Sequence, residues 1–99
     1  MRIIARRTLK AFWEAPGHRD AEQPLRAWFA VAKVAEWRGP ADVKAQIRTA
    51  SILRGNRIVF NIAGNKYWLV VHARYDLRRI YVRFIGAHSD YDRIDAEEI

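Results

Sequence analysis

Apolar positions change period once along the chain, near its middle. Leu9, Phe12 and Trp13 recur at i, i+3, i+4, one stripe of an amphipathic helix that follows the short β-branched run Arg2-Ile3-Ile4-Ala5 and stops at Pro16-Gly17. Leu25, Trp28, Phe29, Ala32 and Ala35 repeat the helical spacing, which predicts a second helix reaching Trp37, with Asp20 as N-cap, Gln23 in the capping-box position and Pro24 in the first turn. A short helical turn is expected from Asp42, and a connection from Thr49 to Gly55. After that the period drops to two. Arg57–Ile62 and Lys66–Tyr75 flank Ala63-Gly64-Asn65, a tight-hairpin signal, and Asp76-Leu77-Arg78 turns the chain into Arg79–Ile85, where Gly86 is expected to end the strand. A short helix capped by Ser89 is expected in the last residues.

This order predicts an α+β, two-layer fold: two N-terminal helices on one face of a mainly antiparallel four-stranded sheet, in a single domain spanning residues 1–99. Two helices cover one side of such a sheet, so the other side is expected to face solvent or a ligand. Ninety-nine residues exclude a multidomain enzyme, and 51% hydrophobic residues exclude a disordered chain. With no cysteine, disulfides, thiolate metal sites and thiol nucleophiles are excluded. Arg6-Arg7 interrupts the first apolar run before a signal sequence could form, and no apolar stretch is long enough for a membrane span, so the expected location is the cytoplasm.

Charge narrows the function classes. The formal net charge is +7, and it is unevenly distributed. Lys44, Arg48, Arg54, Arg57, Lys66, Arg74, Arg78, Arg79 and Arg83 crowd the sheet half against Asp76 alone, whereas the tail from Asp90 carries five acids and one arginine. Such concentration points to a polyanionic partner, and the interleaved aromatics Phe60, Tyr67, Trp68, Tyr75, Tyr81 and Tyr91 suit stacking on splayed bases. For any one of them, a place in the core is the commoner outcome.

The candidate chemistry lies just past the last strand, where His88 and Tyr91 stand three residues apart. Imidazole titrates near neutrality and passes protons in either direction, a phenol can orient a base or carry a proton, and an arginine neutralises charge developing on phosphorus. These groups suffice for metal-free RNA cleavage in which the ribose 2′-OH attacks its own 3′-phosphate, a route closed to DNA. No cofactor is expected. His18 reads as solvated, His72 as a structural or sheet-face residue, and no histidine pair has zinc-ligand spacing. Gly-rich phosphate loops, serine nucleophile motifs and paired carboxylates outside the tail are absent.

Arg2-Ile3-Ile4, the hairpin Asn61-Ile62-Ala63-Gly64-Asn65-Lys66-Tyr67-Trp68-Leu69-Val70-Val71 and the closing Tyr81-Val82-Arg83-Phe84-Ile85-Gly86-Ala87-His88-Ser89-Asp90-Tyr91-Asp92 together resemble the HigB-type toxins of the RelE-like mRNA interferases, over nearly the whole chain. The resemblance implies a RelE-like fold and an endoribonuclease toxin of a type II toxin–antitoxin pair that cuts messenger RNA, usually on the ribosome. It also implies a helix-turn-helix antitoxin, and operator DNA reached only through the toxin–antitoxin complex. By motif position it makes His88, Tyr91, Arg83 and Lys66 catalytic, and Arg54, Arg57, Trp68 and Arg74 RNA-binding. At Trp68 the chain departs from the family, which commonly reads Lys-Tyr-Arg-Leu there and so has one more cation on the sheet. A non-catalytic RNA- or ribosome-binding module using the same basic face is the alternative; a protein whose basic surface serves only an acidic partner is the third.

Overall fold

In the computed structural model, which describes all 99 residues, β1 (Arg2–Ile4) leads into α1 (Arg6–Glu14), a 3-10 turn at Arg19–Ala21, α2 (Glu22–Val34) and α3 (Pro40–Gln46). β2 (Ser51–Ile52), β3 (Arg57–Ile62), β4 (Tyr67–Arg74), a second 3-10 turn at Tyr75–Leu77, β5 (Arg79–Ala87) and α4 (His88–Tyr91) follow. The α+β class is as expected, but the sheet has five strands in the order β1-β5-β4-β3-β2 and is mixed. β1 runs parallel to β5, with Ile3 opposite Ile80, while the other pairs are antiparallel. The fifth strand is the two-residue β2, in a segment expected to be a connection; it zips onto β3 through Ser51 opposite Val59.

The helical spacing does what it predicts. Leu9 and Trp13 of α1 and Leu25, Trp28 and Ala32 of α2 are buried against Ile58, Phe60, Leu69, Val71 and Ile80 of the sheet. Trp28 meets Phe60 edge-on with ring centroids 5.3 Å apart. α2 stops at Val34 rather than Trp37, because Ala35 turns to extended backbone. That turn lets Trp37 drop into the core, where it stacks on Phe60 and donates from Nε1 to Gln46 Oε1 at 2.8 Å. Asp20 does not cap α2: the N-cap is Ala21 with no side-chain bond, because the Asp20 carboxylate accepts from the Tyr67 hydroxyl at 2.6 Å and from Lys66. Pro24 sits in the first turn, as its missing N–H requires.

Two further expectations are corrected at the end of β5. The strand does not stop at Gly86 but runs through it to Ala87, and α4 starts at His88, with Ala87 rather than Ser89 at the N-cap and no side-chain cap. Gly86 and Ala87 stay in the ladder opposite Trp68 and Tyr67, and a bulge precedes them: the β4–β5 register shifts between Val70, opposite Phe84, and Val71, opposite Val82. Arg83 is the extra residue. Beyond it, Phe84 and Gly86 join the face of Trp68 and Val70, while Ile85 and Ala87 turn to the helix layer.

The side away from the helices is only partly open. After α4 the chain folds back so that Ala96 packs with Val59 and Val70, and Leu53, Trp68, Phe84, Tyr91, Ile94 and Ile99 close around them. Arg57 secures the end, donating from Nε and Nη2 to the main-chain oxygen of Ile99 at 2.9 and 2.6 Å. The rest of this face, around His72, has neither helix nor tail over it.

Gly86 is where a side chain is least tolerable, since an added Cβ would lie 2.7 Å from the Phe84 ring. Gly86→Ala is expected to cost about 1–3 kcal/mol by overpacking, read as a lower urea midpoint at unchanged slope.

Candidate active site

Trp68 stands at the centre of the tail-covered end. It pairs with Gly86 across the strands, and the missing side chain there leaves room for the neighbouring Phe84 ring. His88 and Tyr91 are both on the short α4, and both rings meet Trp68 edge-on, with centroids 4.6 and 4.3 Å from it. The i, i+3 spacing read from the sequence thus becomes two rings on one indole. His88 is exposed, with Nδ1 3.5 Å from an Asp92 carboxylate oxygen, an i,i+4 contact that orients the imidazole. Tyr91 is half-buried; burial first, then Asp92 and Glu97, hold its phenol above its ordinary pKa of 10.0. Tyr91 therefore keeps its proton at neutral pH and is able to donate a hydrogen bond. The buried Trp68 Nε1 has no hydrogen-bond partner.

The other sequence-derived residues scatter. Lys66 directly precedes the Tyr67–Ala87 pair, so its backbone lies at the same end of the sheet as His88. Its ammonium turns the other way, to Asp20 on the helix side. Arg54 is almost fully exposed, 3.9 Å from Glu97. Arg57 is committed to the tail, and Arg74 to Asp76 at 2.9 Å. Arg83 leaves the bulge with its guanidinium 5.8 Å from the Tyr81 ring. It is five residues from His88, roughly 16 Å along a strand. The aromatic trio is therefore at one end of the face and most of the positive charge is at the other. Among Phe60, Tyr67 and Tyr75, considered for base stacking, Phe60 and Tyr67 are buried in the core and Tyr75 packs against it.

His72, expected as a structural or sheet-face residue, and Tyr81, one of the interleaved aromatics, share the open face with the arginines. Counting by twos from Trp68 along β4 finds His72 and Arg74; the partner strand's bulge hides the corresponding count on β5. The cavity of about 90 Å³ lined by Glu36, Trp37, Arg38, Tyr75 and Arg78 is at the opposite end of the β4–β5 pair from His88. No group of three or more His, Asp or Glu side chains is placed to hold a metal ion, and no helix is long and apolar enough to cross a membrane.

Trp68→Ala removes the surface on which both candidate rings rest. It should cost about 3 kcal/mol, the lower end for a large aromatic because the indole is incompletely buried, and should move the His88 imidazole NMR signals toward random-coil positions. The Lys66–Asp20–Tyr67 cluster makes a separate prediction. Hydrogen bonds from Lys66, then Tyr67, hold the Asp20 carboxyl below its ordinary value of 3.8, so its contribution to stability is complete above that pH and is lost as pH falls through the lowered value. Asp20→Asn should flatten the acid limb of a urea-midpoint-versus-pH curve; a parallel limb would refute the assignment.

A search of curated proteins returns no match. A family model described as HigB_toxin, RelE-like toxic component of a toxin-antitoxin system, matches residues 21–94, which hold α2 through α4 and so Trp68, His88 and Tyr91. Because that match spans most of the chain, the protein belongs to the HigB family of RelE-like toxins, the toxic components of toxin–antitoxin systems.

Proposed function

We propose that this toxin is an mRNA interferase, an endoribonuclease that cuts messenger RNA on the ribosome without a metal. The observation that carries the reading is the convergence of His88 and Tyr91 on Trp68 beside an open, arginine-rich sheet face. His88 takes the proton from the ribose 2′-OH, the freed oxyanion attacks the adjacent phosphorus, and the P–O5′ bond breaks to leave a 2′,3′-cyclic phosphate. Tyr91, which keeps its proton, donates to the departing 5′-oxygen. Trp68 offers a ring edge for a base where relatives commonly carry an arginine, and because Arg83 lies farther along the face over Tyr81, the positive charge for the phosphorane falls to Lys66. Lys66 joins by leaving Asp20, an exposed pair that is cheaply exchanged for a phosphate. Arg54, Arg57 and Arg74 line the path of the RNA.

Membership in a toxin–antitoxin family implies a cognate antitoxin. In this reading the antitoxin carries a helix-turn-helix, the complex contacts operator DNA through it, and the toxin acts in the cytoplasm.

Induced alone in growing cells, the chain should arrest growth and create new messenger 5′ ends, both reversed by co-expressing the neighbouring gene. His88→Ala should lower cleavage by about 10²–10⁴ while RNA binding persists. Wild-type protein that binds RNA and leaves it intact would establish the binding-module alternative instead.

A further inference from the structure

The part of the face that the tail leaves bare carries side chains with only a minor place in that scheme. Arg57, at the edge of the tail, His72 and Tyr81 form one row straight across three strands, and Arg74 and Arg79 form the next. Side chains at paired positions point the same way, with Cβ atoms about 5 Å apart. Arg83 reaches back from the bulge over Tyr81. His72 therefore lies among four guanidinium groups, with its ring centroid 6.2 Å from that of Tyr81.

So many like charges on adjacent strands repel one another unless anions intervene. Two of the four are answered within the chain, Arg57 by the main-chain oxygens of Gly55, Glu98 and Ile99, and Arg74 by Asp76. Arg79 and Arg83 have no carboxylate within ion-pair distance, and the one side-chain bond of Arg79 is a long 3.5 Å contact to the Tyr81 hydroxyl. Burial, then Arg57, Arg83 and Arg74, hold the His72 pKa below its ordinary 6.5, so the imidazole is neutral at physiological pH, with one N–H to donate. A neutral donor, a phenol and two unpaired guanidiniums make a receptor for one compact anion.

We propose that His72, Tyr81, Arg79 and Arg83, with Arg74 at the margin, form a phosphodiester-binding subsite for single-stranded RNA. It rests on the ribonuclease reading for its ligand. His72 is four positions along β4 from Trp68, about 13 Å at strand rise, so one RNA strand lying along β4 reaches both ends. The subsite anchors the chain, and the His88–Tyr91 pair cuts it. A bound phosphate supplies the anion that the arginines lack and stabilises the imidazolium, so occupancy raises the His72 pKa.

The test is titration of the full chain with a 2′-O-methylated RNA hexamer, which has no free 2′-OH to react. Binding should move the His72 imidazole signals and raise their titration midpoint. Arg79→Gln and Arg83→Gln should each weaken binding roughly tenfold and reduce the slope of log affinity against log salt by about one. If both variants bind as wild type and only Trp68 and His88 signals move, the subsite is refuted and the ribonuclease reading stands. If the hexamer binds at neither end while a hexaglutamate peptide moves His72, both fail, and the face is a protein-docking surface.

Discussion

Everything functional in this molecule depends on the two-residue period of β4. Tyr67, Leu69, Val71 and Ala73 are buried on the helix side, and Trp68, Val70, His72 and Arg74 are directed to the other. A slip of one residue would exchange the two sets, placing an indole, an imidazole and a guanidinium in the core and exposing four apolar groups. The helix layer prevents this, since Leu9, Leu25, Trp28 and Trp37 need apolar partners. The same register that buries the core therefore displays the site.

The bulge at Arg83 is the second constraint. In an unbroken β5, the face bearing Arg79 and Tyr81 would continue with Arg83 and Ile85. The extra residue instead brings Phe84 and Gly86 to that face beyond Tyr81. Phe84 then joins the apolar patch under the tail, and Gly86 leaves the space that the Phe84 ring occupies. One irregularity thus divides the face into an aromatic end and a cationic end.

What the sequence made legible follows from which forces are local. Helical stripes, the Gly64-Asn65 hairpin and the alternation along β4 are encoded in neighbouring residues and agree with the structure. Several of the misses concern partners distant in the chain. Asp20 has the composition of an N-cap, but its carboxylate is taken by Tyr67 and Lys66, more than forty residues away. β2 exists only because β3 offers an edge, and no local pattern marks two residues as a strand. The closeness of His88 and Tyr91 was readable from their spacing; that both lean on Trp68 was not, because it needs the bulge and the tail together.

The tail sharpens the charge pattern. Its acids would be expected to neutralise the basic sheet on which they fold, but Glu97 meets the peripheral Arg54, and Asp92 turns to His88. Exposed pairs of this kind contribute typically less than about 1 kcal/mol, whereas each fully buried apolar side chain contributes about 1.5–3 kcal/mol. The patch of Val59, Val70, Phe84, Ile94, Ala96 and Ile99, with the Arg57 bonds to Ile99, is therefore what holds the tail down. The apolar part of that anchoring is insensitive to salt, while attraction of a polyanion to Arg79 and Arg83 is screened by it. Apolar contact thus keeps His88 and Tyr91 in place at salt concentrations that screen the exposed charge, so in the proposed ribonuclease the groups that cut and the groups that hold RNA would respond differently to salt.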